Sequence, residues 1–140
     1  MEFLLYLNSE GQQLIRDLIS AKFHIHENIG LCSKGNIFGY ANKPNKFIIC
    51  TNNIKNLGYD PYFYVNETVY HEATHAAQIC KRGNLGIPKS KMPLSWNKME
   101  DIKNSIKATG NNGSEMKEHE AFWLENKPKQ VRYYVKKFCF

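Results

Sequence analysis

The spacing of two histidines limits this chain more than any other feature. His71 and His75 stand four residues apart in Val69-Tyr70-His71-Glu72-Ala73-Thr74-His75-Ala76-Ala77-Gln78. On an α-helix, positions i and i+4 share one face and lie one turn apart. Two imidazoles so placed can grip a single zinc ion at about 2.0–2.1 Å each. Glu72 follows the first histidine directly, so its carboxylate points beside the ion, where a base for a water molecule is needed. A surface helix can carry the pattern H-E-x-x-H by chance, but the flanks argue otherwise. Val69, Tyr70, Ala73, Ala76, Ala77 and Ile79 are apolar or small, as a buried helix requires. Gln78 lies one turn past His75 on the same face, placed to hydrogen-bond near the metal.

A catalytic zinc site takes three protein ligands and leaves one position for water. The third ligand must come from a distant segment, and the acids Glu115, Glu118 and Glu120 supply candidates. Ser114 reads as an N-cap for a helix over residues 115–126, and Pro128 stops it or opens the next one. Glu118 and Glu120 are two apart, so a helix cannot turn both toward one ion. Ala121 shares the face of Glu118 and is small enough to let this helix approach the first closely. Glu118 is the expected ligand and Glu120 the alternative, with the unused acid expected on a solvated surface.

The remaining elements set the frame. Ser9 and Gln12 form a capping-box pattern ahead of Leu14, Ile15, Leu18 and Ile19, which predicts a helix over residues 10–22. His24 and His26 have strand spacing and are read as ordinary polar positions. Residues 36–41 and 46–51 read as two strands joined by the turn Asn42-Lys43-Pro44-Asn45, and residues 52–59 as a loop. An exposed edge of that hairpin near the metal would pair with an extended peptide. Asp60-Pro61 opens the histidine helix, with Asn66 as a later alternative start, and Gly83 supplies its left-handed stop. Residues 84–113 are irregular apart from a weak helix over 98–107, with Trp96 and Met99 expected on the core. Val131, Tyr134, Val135 and Phe138 recur at helical spacing in a last amphipathic helix.

The expected fold is therefore α+β and zincin-like. An N-terminal helix and a small antiparallel sheet pack on the H-E-x-x-H helix, followed by C-terminal helices, in one domain over residues 1–140. An apolar content of 42% supports a globular core rather than disorder. No apolar run approaches the roughly 20 residues of a membrane span, and the opening Met1-Glu2-Phe3-Leu4-Leu5-Tyr6-Leu7 lacks the features of a signal peptide. A cytoplasmic protein without a membrane partner is expected. Cys32, Cys50, Cys80 and Cys139 contain no C-x-x-C pair, which argues against a thiolate zinc site. They read as reduced, mostly buried thiols, although their spacing leaves two disulfides open. The net charge of +6 is that of a solvated basic surface, and no motif points to nucleic acid.

Taken together, His71-Glu72-Ala73-Thr74-His75 and Glu118-His119-Glu120-Ala121-Phe122 resemble the gluzincin metallopeptidases, whose second motif reads E-x-x-A-D or a relative of it. Small regulatory proteases of the ImmA/IrrE type are similar in pairing E-x-E-A with an aromatic-rich helix and a proline, here Pro128. The resemblance covers residues 65–78 and 115–128. It implies Zn2+ held by His71, His75 and Glu118, Glu72 as the catalytic base, and a peptide or protein as substrate. The chain departs from the family where an acid or asparagine, four residues after the ligand, orients the first histidine. Phe122 stands there, leaving that task to Gln78, Glu115 or Glu120, or making Glu120 the ligand. An oxyanion donor is sought in His119, Tyr133 or Tyr134, with Tyr70 assigned to the core. The competing expectation is a zincin-like module that binds or regulates without cutting.

Overall fold

The computed structural model describes residues 1–109 and 115–140. Among these residues it is α+β, with six α-helices and a three-stranded mixed sheet. In chain order they are α1 (Ser9–Ser20), β1 (His24–Glu27), β2 (Gly39–Asn42), β3 (Lys46–Ile49) and α2 (Thr51–Lys55). There follow α3 (Pro61–Lys81), α4 (Trp96–Thr109), α5 (Glu115–Leu124) and α6 (Pro128–Cys139). Ser114, the expected cap of α5, lies outside the described residues.

Helix α3 is the axle. Its 21 residues span about 31 Å, and α1, α5, α6, β2 and β3 all pack on it. Asp60 caps it by accepting the Tyr62 N–H at 2.9 Å, and Pro61 occupies the first turn. Neighbours on several sides explain why its buried positions include Val65, Val69, Ala73, Ala76 and Ala77. The alanines allow close approach where larger side chains would push α5 and α6 away. Its left-handed C-cap is Arg82 at φ 65°, one residue earlier than the expected Gly83.

The sheet has the order β1-β3-β2. β2 and β3 form the expected antiparallel hairpin, whereas β1 pairs with β3 in parallel. The expectation of a purely antiparallel sheet is thus corrected. β1 joins the side of β3 away from β2, and because the chain runs back along β2 before turning into β3, β1 and β3 point the same way. β2 sits close enough to α3 that a Cβ on Gly39 would lie 2.9 Å from Thr68 Cγ2 and 3.1 Å from Glu72 Cγ. Glycine at that position brings the strand backbone against the helix beside Glu72.

Several local expectations change. α1 is capped by Asn8, which accepts the Gly11 N–H at 2.8 Å, while Gln12 donates to the Leu7 carbonyl instead of closing a box with Ser9. Residues 51–55, read as loop, form α2, where Thr51 hydrogen-bonds Glu27 at 2.6 Å. Trp96 and Met99 are 74% and 46% exposed rather than packed on the core. Ile102 is the buried apolar residue of α4. The cysteines are not free thiols: Cys32 pairs with Cys50 and Cys80 with Cys139. The second bridge ties the end of α3 to the end of α6. No helix of the described residues is long and apolar enough to cross a membrane.

Candidate metal centre

α3 presents His71 and His75 with ring centroids 5.1 Å apart. α5 packs against it and turns Glu118 toward both rings. Glu118 Oε1 lies 2.7 Å from His75 Nε2, and Oε2 lies 3.4 Å from His71 Nε2. One donor atom from each residue falls within 4.8 Å of the other two. Tetrahedral zinc with ligands at about 2.0–2.2 Å sets neighbouring donors about 3.3–3.5 Å apart. The 3.4 Å His71–Oε2 separation matches that spacing, whereas the 2.7 Å His75–Oε1 contact, made by the other carboxylate oxygen, is shorter than it. Two imidazoles and one carboxylate form the donor set of catalytic rather than structural zinc sites.

The far nitrogens of both rings are held. His71 Nδ1 lies 2.9 Å from Glu125 Oε1, and His75 Nδ1 lies 2.7 Å from Gln78 Oε1. With both Nδ1 atoms held by Glu125 and Gln78, the two Nε2 atoms are left to face Glu118. Gln78 has no freedom to flip its amide. Its Nε2 donates to the Lys117 carbonyl at 3.0 Å and to Glu120 Oε1 at 2.8 Å, so its oxygen must face His75. Glu120 is fully buried and also accepts the backbone N–H groups of Leu85 and Gly86.

These contacts place the three candidate acids differently. Glu118 faces the histidines. Glu120 does not, and it is not the solvated acid expected of the unused residue but the anchor of Gln78. Glu115 is exposed. The acid in contact with His71 Nδ1 is Glu125, which the sequence reading missed. It follows Glu118 by seven residues, two turns along the same face, and that spacing was the available signal. Phe122 instead packs its ring edge-on against His71, with centroids 4.5 Å apart. Lys98 of α4 supports Glu125 from outside, with Nζ 3.4 Å from Oε2, and donates to the Phe122 carbonyl at 3.0 Å. Ser105 donates to Glu118 Oε2 at 3.2 Å.

The site is built around positive charge. Burial opposes protonation of His71, yet hydrogen bonds to Glu118 and Glu125 outweigh it and raise its pKa well above the ordinary value. His75 is raised for the same reason through Glu118. Burial would push Glu118 up, but the two histidines hold it far below the usual carboxylate range. A proton and a metal ion compete for these same atoms. Glu72 is buried next to them, and burial raises its carboxyl while His71 and His75 pull it back.

A cleft of about 830 Å3 opens beside α3. Its lining includes Phe38, Gly39, Glu67, His71, Glu72 and Asp101. The expected oxyanion donors do not reach it. His119 is buried with Nε2 donating to the Met92 carbonyl at 2.7 Å. Tyr133 is 58% exposed and Tyr134 stacks on Phe138, and neither lines the cleft. Tyr70 is in the core, as expected, donating to Asn8 Oδ1 at 2.9 Å.

Residues 3–140 match the family model described as "Domain of unknown function (DUF8637)", and the chain belongs to that family. No curated protein and no solved structure matches it.

Proposed function

We propose that this DUF8637 member is a zinc-dependent peptidase of zincin-like fold, with His71, His75 and Glu118 as metal ligands and Glu72 as catalytic base. The observation that carries the reading is the convergence of both Nε2 atoms on Glu118, with each Nδ1 held by a separate partner, beside a cleft that Glu72 also lines. Zinc bound there would polarise a peptide carbonyl and make water a competent nucleophile near neutral pH. Glu72 accepts the proton from the attacking water and returns it to the departing amine. Glu125 and Gln78 keep the two imidazoles in the tautomer and orientation that binding needs. β2 is an edge strand among the described residues, and Gly39 lines the cleft. An extended peptide pairing with that edge would cross the face of α3.

The alternative is a zincin-like module that binds without cutting. It is favoured by one observation: His119, Tyr133 and Tyr134 all lie away from the cleft, leaving no identified partner for the oxyanion. Metal analysis of the purified chain, followed by a peptide-library digest of wild type and Glu72→Gln, decides between them. The peptidase reading expects one zinc per chain in both proteins and cleavage by wild type alone. Cleavage retained by Glu72→Gln rejects the assigned base, and zinc without cleavage by either selects the binding module.

The two disulfides bear on the compartment. Paired cysteines persist in oxidising surroundings. They favour such a compartment over the cytoplasm expected from the sequence.

A further inference from the structure

Charge is distributed against the average of the chain. The whole sequence carries 19 basic and 13 acidic residues. The described lining of the cleft reverses this, with four carboxyl groups, Glu67, Glu72, Asp101 and Glu125, against two lysines, Lys34 and Lys107. Most of these groups have work already. Glu125 holds His71 and Lys98, and Glu72 is the proposed base. Lys34 donates to the Ala108 carbonyl at 3.2 Å, and Lys107 is exposed.

Glu67 is different. It lies on α3 four residues before His71, hence one turn away on the same face. It is partly buried and has no hydrogen bond or ion pair among the described residues. Burial, and then the neighbouring Glu125 charge, push its carboxyl up to about 7. A carboxylate half withdrawn from water without a partner is a cost that a cation arriving with the substrate would relieve.

We propose that Glu67 is a specificity-determining residue that receives a lysine or arginine side chain of the substrate next to the metal centre. This rests on the peptide-cleft reading above. The spacing suits it, because one helical turn of about 5.4 Å separates Glu67 from His71. A long basic side chain flanking the scissile bond spans that distance, with its stem against Tyr64 and Thr68, which share the lining. The Lys98 charge, and after it His71, partly offsets the rise of the Glu67 carboxyl, but Lys98 makes no ion pair with Glu67 among the described residues; its ammonium lies 3.4 Å from Glu125 and donates to the Phe122 carbonyl.

The test separates recognition from cleavage. Peptides that differ only in arginine, lysine, glutamine or norleucine at one position are titrated onto zinc-loaded Glu72→Gln protein. The digest of the same set by wild type is recorded in parallel. The arginine and lysine peptides are expected to bind about tenfold or more tighter than the norleucine peptide. Adding Glu67→Gln should collapse that ratio, and Glu67→Arg should shift preference toward a fifth peptide with glutamate at that position. Equal binding of all peptides, binding of none, or a ratio that survives Glu67→Gln overturns the assignment. Selective binding with no digestion by wild type keeps Glu67 in its role and removes the peptidase reading instead. Zinc content and circular dichroism of each variant show whether a lost ratio reflects a lost fold.

Discussion

Removing the Glu125 carboxylate tests the proposed metal centre through the partner of His71. The His71 Nδ1–Glu125 Oε1 contact is 2.9 Å, and the two side chains are only 12% and 8% exposed, so solvent screens it little. An outer hydrogen-bond partner of this kind typically contributes 10- to 100-fold in metal affinity, or about 1.4–2.7 kcal/mol. Glu125→Ala should therefore weaken zinc binding by that factor, measured by competition against a chromophoric chelator. Glu125→Gln, which can keep an acceptor oxygen but not the charge, should lie between Ala and wild type. A second effect runs the other way. Glu125 also helps His71 hold a proton, so its loss eases proton competition. The full deficit should thus appear at alkaline pH, where no proton remains to displace, and a smaller one near neutrality. The 3.4 Å contact with Lys98 adds little, because that lysine is 29% exposed. If Glu125→Ala binds zinc as tightly as wild type at alkaline pH, His71 is not a ligand oriented through Nδ1, and the outer shell drawn here is wrong.

Two further outcomes follow from the same structure. In metal-free protein, the raised His71 and His75 contribute stability fully present below their ordinary value of 6.5, and it is lost as pH rises through their folded values. Glu118, held low, contributes above its ordinary value of 4.5 and loses that contribution only in strong acid. Metal-free protein should accordingly be favoured between roughly pH 4.5 and 6.5 by these groups, whereas the gain in melting temperature from added zinc should widen from pH 6 to pH 8. A gain that stays constant or narrows across that range would contradict the assigned ligands. The disulfides close loops with sequence separations of 18 and 59, worth about 3 and about 4 kcal/mol by chain entropy. Denaturant titration should find Cys139→Ser less stable than Cys32→Ser, and both less stable than wild type. Equal midpoints for all three would show that the bridges contribute nothing.

What the sequence determined by itself was local. The i, i+4 histidines, the Asp60-Pro61 start and the apolar flanks belong to one helix and needed no other element to be read. Gln78 was legible for the same reason, being one turn from His75. The second helix and its acids were visible, but its rotation about its own axis was not. That rotation is set by how Ala121, Leu124 and the neighbouring α3 alanines pack, and it alone turns Glu118 inward, aligns Glu125 with His71 and buries Glu120 behind Gln78. Long-range pairings were beyond reach for the same physical reason. The parallel entry of β1, the partners of four scattered cysteines and the exposure of Trp96 depend on where distant segments meet, and no periodicity within a segment encodes that.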